Sequence, residues 1–178
     1  MYADADTVQL LVNGRSVGRK KVKECKALFS KVTYEPGEIE AIALDAAGRE
    51  TGRARLISAT GATKLKLSPE RTLLRANGQD LCFLDIDLVG ENGVTRSSVD
   101  QKLTVEVTGA GTLQAFGSAR PHMAEDFVSQ SHTTYYGKAL AVIRAGYEPG
   151  EIRVKVSGKD MEEEITLRVT ADDSWEKM

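Results

Sequence analysis

Short runs of alternating apolar and polar residues, each closed by a turn signal, constrain this chain more than any other feature. Thr7 to Val12, Ile39 to Leu44, Leu81 to Val89, Leu103 to Val107, Ala139 to Ile143, Ile152 to Val156 and Ile165 to Val169 all read as strands. Side chains of a strand point to opposite faces with period two, so such runs gather their apolar residues on one face. Between them stand Asn13-Gly14, Pro36-Gly37, Asn77-Gly78, Asn92-Gly93, Pro149-Gly150 and Gly158-Lys159-Asp160. These residue types supply the positive or fixed φ that tight turns need. No segment shows a sustained i, i+3, i+4 apolar spacing, which argues against a mixed α/β fold. Many short strands with frequent turns predict an all-β sandwich or barrel.

The organisation shows in a repeat. Tyr34-Glu35-Pro36-Gly37-Glu38-Ile39 recurs as Tyr147-Glu148-Pro149-Gly150-Glu151-Ile152, and each copy precedes an alternating run. Pro36 and Pro149 suit the second position of a type II turn, and Gly37 and Gly150 its third, where φ is positive. Tyr34 and Tyr147 are placed to lay a ring on the sandwich and send a hydroxyl to backbone, as in a tyrosine corner. The copies lie too far apart for a solenoid repeat, so the spacing predicts one copy in each of two tandem immunoglobulin-like antiparallel β-sandwich modules.

The small residues Ser58-Ala59-Thr60-Gly61-Ala62-Thr63 mark the boundary. The expected division is a module over 1–58, a linker over 59–63, a complete sandwich over 64–171 and a polar tail over 172–178 that holds the sole tryptophan, Trp175. A module of ~60 residues with neither disulfide nor metal is marginal in the surface it buries. It is therefore expected to be a partial sandwich that lacks its first strand, and the edge left at Thr7 to Val12 is expected to pair with a second copy.

Composition narrows the function. The 178 residues carry a formal charge of -2 with 28% charged residues, so there is no basic field to attract nucleic acid or anionic lipid. No apolar run approaches the ~18 residues of a membrane span. Met1-Tyr2-Ala3-Asp4-Ala5-Asp6 does not read as a secretory signal, and nothing in the sequence specifies a compartment. Cys25 and Cys82 lack zinc or redox spacing. Period two sets Cys82 beside Leu84, Ile86 and Leu88 as a small buried thiol, with a Cys25–Cys82 disulfide as the other reading.

Several motifs, in order, resemble the C-terminal region of family 2 glycoside hydrolases, many of them β-galactosidases. Asp6 to Gly18 resembles the family's VELFLNGKSLG hairpin, and Phe29 followed by Tyr34 to Ile39 resembles its aromatic strand and YEPGEL turn. Lys64 to Phe83 is similar to the opening strand of the family's next module. The likeness continues through Gly109-Ala110-Gly111, departs at Gly117-Ser118-Ala119-Arg120-Pro121, where two asparagines are missing, and resumes at Glu125-Asp126-Phe127 and Tyr136 to Ile143. The resemblance implies a parent chain, a retaining glycosidase of β-galactosidase type, whose upstream part holds a catalytic barrel. It implies no cofactor.

The residues agree that this part carries no such active site. A retaining glycosidase needs two carboxyl groups about 5 Å apart on a rigid scaffold, and a (β/α)₈ barrel needs about 250 residues with helices. No nucleophile-elbow pattern accompanies the two histidines, so a Ser-His-Asp triad is not expected either. The expected function is that of a non-catalytic accessory region supporting domain packing, oligomerisation or contacts at the substrate rim. Two other classes fit the pattern: a stand-alone carbohydrate-binding module and a bacterial surface adhesin repeat.

The candidate binding residues lie in the one long break in the alternation, Gly117 to Gly137. It contains His122, Glu125, Phe127, His132, Tyr135 and Tyr136, and loops of such length tend to be functional. Three readings are set side by side. One is a structural crossover with Phe127 and Tyr136 plugging the sandwich end and Glu125 bonding backbone amides. Another is a docking surface, and Tyr135 and Tyr136 would also serve as a sugar platform. The third, a metal site of His122, His132 and Glu125, lacks short recurrent ligand spacing, and no metal is expected. The charged runs Arg19-Lys20-Lys21-Val22-Lys23 and Glu162-Glu163-Glu164 read as a solvated strand or turn and the start of the last strand.

Overall fold

A computed structural model describes residues 1–171. The tail 172–178, with Trp175, lies outside the described residues. The chain divides into two compact units, Met1–Ala59 and the remainder from Thr60. No helix occurs among the described residues, and both units are built of strands.

The first unit is one antiparallel sheet of β1 (Thr7–Val12), β2 (Arg15–Lys21), β3 (Glu38–Leu44) and β4 (Glu50–Ile57), in the order β2-β1-β3-β4. Asn13 and Gly14, with φ of 50° and 76°, close the β1–β2 hairpin. Positive φ at both central residues is the type I′ geometry that Asn-Gly favours. Val8, Leu10 and Val12 are buried on one face. The opposite face mixes Leu11 and Ile42 with charged residues, Arg53 being paired to Glu40 and Glu50 at 2.7 and 2.8 Å.

The named strands of this unit form one sheet, and its apolar face runs on to Leu56, which is paired with Ile39 and exposed. The expected dimer edge at Thr7 to Val12 is corrected. β1 is hydrogen-bonded on both sides, so the free edges are β2 and β4. Arg19, Lys20 and Lys21 place charge along the β2 edge, which discourages strand addition there.

The second unit is an immunoglobulin-like sandwich of two sheets. The four-stranded sheet, in the order β5-β7-β11-β9, contains β5 (Lys64–Pro69), β7 (Leu81–Val89), β9 (Gly111–Gly117) and β11 (Lys138–Ala145). The five-stranded sheet, in the order β10-β8-β12-β13-β6, contains β6 (Leu73–Arg75), β8 (Lys102–Gly109), β10 (Ser131–Thr133), β12 (Gly150–Gly158) and β13 (Met161–Thr170). All pairings are antiparallel except β6 with β13, which is parallel. The chain leaves the first sheet after Glu70, whose N–H still donates to the Phe83 carbonyl at 2.9 Å, and re-enters on the other sheet as β6; Pro69 is tolerated because β5 is an edge strand.

Leu84, Ile86 and Leu88 meet Ile152, Val154, Val156 and Leu167 in one buried core that includes Phe116 and Cys82. Each such aliphatic side chain contributes roughly 1.5–3 kcal/mol relative to exposure. Both cysteines are free; Cys82 is buried and Cys25 exposed, so the disulfide reading falls.

The small-residue segment after Ala59 is tied to the second unit. Glu91 N–H donates to the Thr60 carbonyl at 2.8 Å and the Arg96 guanidinium to the Gly61 carbonyl at 2.7 Å.

The two hexapeptide copies fold differently. Gly37 has a φ of 131°, whereas Gly150 is not among the positive-φ residues and already belongs to β12, so the second copy is not the expected type II turn. Neither tyrosine is a buried corner, since Tyr34 and Tyr147 are each 77% exposed. The Tyr34 hydroxyl meets the Ser58 side chain at 3.0 Å instead of backbone.

Candidate functional site

The segment between β9 and β11 is held by three local devices. Asp126 accepts the N–H groups of Val128 and Ser129 at 2.9 and 2.7 Å and the Ser129 hydroxyl at 3.0 Å. The side-chain bond from Ser129, joined by these amides, keeps the Asp126 carboxyl below its ordinary range. Phe116 N–H donates to the Phe127 carbonyl at 2.8 Å, which fastens the segment along the outer edge of β9. The Phe127 ring lies on Gly117, where a β-carbon would collide with it.

Glu125 is the second device. It accepts the Thr133 N–H and the Thr133 hydroxyl, both at 2.9 Å, as expected of a carboxylate bonding backbone. The Thr133 amide is the main cause that lowers its pKa, with His132 and Lys102 adding smaller contributions. The third device is His132 on β10, wholly buried. Its ring stacks on Phe127 with centroids 5.8 Å apart and meets Phe116 edge-on at 6.0 Å. Its Nδ1 lies 3.0 Å from the Thr133 carbonyl and 3.5 Å from Glu125.

The plug of the sandwich end is therefore His132. Phe127 and Tyr136 are both largely exposed, contrary to the crossover expectation. His122 is exposed while His132 is buried. Among the described residues no group of three or more His, Cys, Asp or Glu is arranged to hold a metal.

Exposed aromatics and a strand with two apolar faces make the cleft. Tyr135 and Lys138 exchange backbone hydrogen bonds of 2.8 and 3.1 Å across Tyr136 and Gly137, whose φ values are 51° and 71°. This is again a type I′ turn, here with a tyrosine in its first central position. The Tyr135 and Tyr136 rings stand 4.4 Å apart, and the hydrogen bond between them is the main cause that raises the Tyr135 pKa. The Arg120 guanidinium sits 5.6 Å over the Tyr135 ring and pairs with Asp100 at 2.8 Å.

Beneath the tyrosines, Leu140, Val142 and Ala115 form an apolar floor on the outer face of the four-stranded sheet. Together with Phe127 they enclose a groove of about 640 Å³. Lys138 and Asp87, joined at 2.8 Å, and Asp85 line one side of that face. The structure thus brings Phe127, Tyr135 and Tyr136 to one groove; His132 supports it from behind through its stack on Phe127, and Glu125 and His122 do not line it. Sequence reasoning missed Leu140 and Val142. The signal was present in Ala139 to Ile143, an unbroken apolar run. A sheet with one solvated face should alternate, so apolar residues on both faces mark an outer face with a task.

In this segment the Glu125 and Asp126 carboxyl groups both have a lowered pKa, because hydrogen bonds from Thr133 and from Ser129 and Val128 favour their ionised forms.

Fold and groove define the class: an immunoglobulin-like β-sandwich module with a preceding single-sheet unit. Residues 65–170 match the family model for glycoside hydrolase family 2 C-terminal domain 5, and residues 1–52 match a domain of unknown function, DUF4982. The chain belongs to the glycoside hydrolase family 2 C-terminal domain family. It is 29% identical over 174 residues to Beta-galactosidase BoGH2A of Bacteroides ovatus, covering 97% of this chain and 20% of that protein. A family 2 glycosyl hydrolase structure from Bacteroides cellulosilyticus superposes with a TM-score of 0.88 at 30% identity, over 95% of this chain and 22% of that one. A family 2 β-glucuronidase structure shares the fold with a TM-score of 0.86 at 17% identity, over 97% of this chain and 18% of that one. The chain thus spans about a fifth of the length of these relatives.

Proposed function

We propose that this chain acts as a non-catalytic C-terminal accessory region of a family 2 glycosidase of β-galactosidase type, whose upstream barrel hydrolyses the glycosidic bond. The observation that carries this reading is the match to one fifth of a β-galactosidase by a stretch that has no helix among its described residues. A (β/α)₈ barrel cannot be assembled without helices. The lowered pKa values of Glu125 and Asp126 support it, since hydrogen bonds from Thr133 and Ser129 favour the ionised form where a glycosidase acid must stay protonated. The test is an assay of the purified chain on nitrophenyl β-galactoside and β-glucuronide. No turnover above background is expected, and measurable turnover lost on mutation of a carboxylate overturns the proposal.

A carbohydrate-binding role is favoured by a separate observation, the exposed tyrosine pair over an apolar groove. For pairing between copies the favoured edge is β4, where the apolar Leu56 and Ile57 are exposed.

A further inference from the structure

We infer that the groove over β9 and β11 is a saccharide-binding site that seats the C–H face of one or two neutral β-linked hexopyranose units against Tyr136. The choice of a sugar rests on the accessory-region reading above. Four observations on this surface point the same way.

The first is the backbone of Tyr136. Its φ of 51° is left-handed, a conformation that suits glycine or asparagine and costs a bulky residue. Its ring is 60% exposed, so core packing does not explain the choice. A strained residue that displays an aromatic ring at the rim of a groove points to use of that ring.

The second is the division of polarity. Leu140, Val142 and Ala115 make the floor, and Asp85, Lys138, Tyr135 and Tyr136 line the same groove with groups that carry a polar end. A pyranose is divided in the same manner, with apolar C–H groups on its faces and hydroxyls around its edge. Aromatic rings with a polar tip suit such a ligand.

The third is size and charge. About 640 Å³ falls within the range of small-ligand sites. Lys138 is already paired with Asp87, whose neighbour on the other side is Lys66, and Asp85 adds a second carboxylate, so the charges on this face balance. A face whose cations are already paired offers a uronic acid no free partner and favours a neutral sugar.

The fourth concerns the competing occupant. An added peptide strand needs a free strand edge, and beside the groove the Phe116 N–H of β9 is already engaged by the Phe127 carbonyl.

The experiment titrates the full 178-residue chain with lactose, cellobiose, methyl β-galactoside and glucuronic acid, read by saturation-transfer NMR and calorimetry. Saturable binding of a neutral β-glycoside near about 1 mM is expected, with transfer strongest at the sugar C–H protons and none to glucuronic acid. The variant Tyr136→Asn keeps a turn-compatible residue, so its melting temperature is expected to hold or rise while affinity falls about tenfold or more. Absence of saturable binding by all three neutral sugars overturns the proposal, and so does unchanged affinity in Tyr136→Asn. Concentration-dependent dimerisation abolished by Leu140→Asp would assign the groove to a second copy and overturn it equally. Turnover of nitrophenyl glycosides refutes the non-catalytic reading alone, so the two failures are distinguishable.

Discussion

The side-chain amide of Asn13 fills the space that a β-carbon on Gly37 would occupy. Its Oδ1 accepts the Glu38 N–H at 2.8 Å, its Nδ2 donates to the Pro36 carbonyl at 3.1 Å, and its own N–H donates to the Glu38 carbonyl at 2.8 Å. Two turns that read as separate punctuation in the sequence thus form one joint of the first unit. The second unit joins the same two motif types by other residues. There the Tyr147 ring covers Gly78, and Gly78 N–H donates to the Gly146 carbonyl at 3.1 Å.

Gly37→Ala is therefore expected to cost more than Gly150→Ala, although the two glycines occupy the same place in the repeat. At Gly37 the substitution meets both a positive φ and the Asn13 amide, and a loss of roughly 1–3 kcal/mol is expected. At Gly150 φ is unexceptional and the new β-carbon faces only a tight contact with Ala110. Differential scanning calorimetry of both variants decides it. Equal losses would mean that the joint does not fix the first unit.

Gly117→Ala should open the groove. The added β-carbon lands on the Phe127 ring, which must lift off β9 together with the segment that the Phe116–Phe127 bond fastens. The sandwich core is untouched, so a loss of about 1 kcal/mol is expected, with faster proteolysis between Ser118 and Gln130. Unchanged cleavage kinetics would show that Phe127 is held by His132 stacking alone.

What could be read ahead of the structure followed the length and the burial of each strand. β7 and β12 are long and bury every second residue, so period two stands out in Leu84, Ile86 and Leu88 or Ile152, Val154 and Val156. β2 and β4 are solvated edges rich in Arg, Lys and Glu, and alternation has little to act on there. β6 and β10 have three residues each, too few to show a period, and so the burial of His132 was illegible. The site was readable in part. The aromatic content of the 117–137 segment singled out Phe127, Tyr135 and Tyr136, but the floor at Leu140 and Val142 depends on which face of β11 the neighbouring strands leave open.

The two thiols should differ sharply in reactivity. Burial is the main cause that raises the Cys82 pKa, and its Sγ donates to the Arg71 carbonyl at 3.1 Å. The thiolate is the reactive form, so a disulfide-exchange reagent should modify Cys25 rapidly and Cys82 only after denaturation. One equivalent of colour in the native protein and two in denaturant is the expected stoichiometry. Two fast equivalents would show that the β7 face opens readily.

Glu125 should make the segment acid-labile. Its folded pKa lies below the ordinary 4.5 because the Thr133 N–H and hydroxyl bind the ionised form. A carboxyl group with a depressed folded pKa binds fewer protons folded than unfolded. Its contribution is present in full above the unfolded value and is lost as the pH falls through the folded one. Asp126 carries the same sign through Ser129 and Val128. Urea unfolding of the second unit measured from pH 6 down to 3 should therefore show a steeper loss for the native protein than for Glu125→Gln. The variant should be less stable near neutral pH by about 1 kcal/mol for the weakened hydrogen bonds, and the two curves should converge in acid. Parallel curves would mean that Thr133 is held in place without the charge on Glu125.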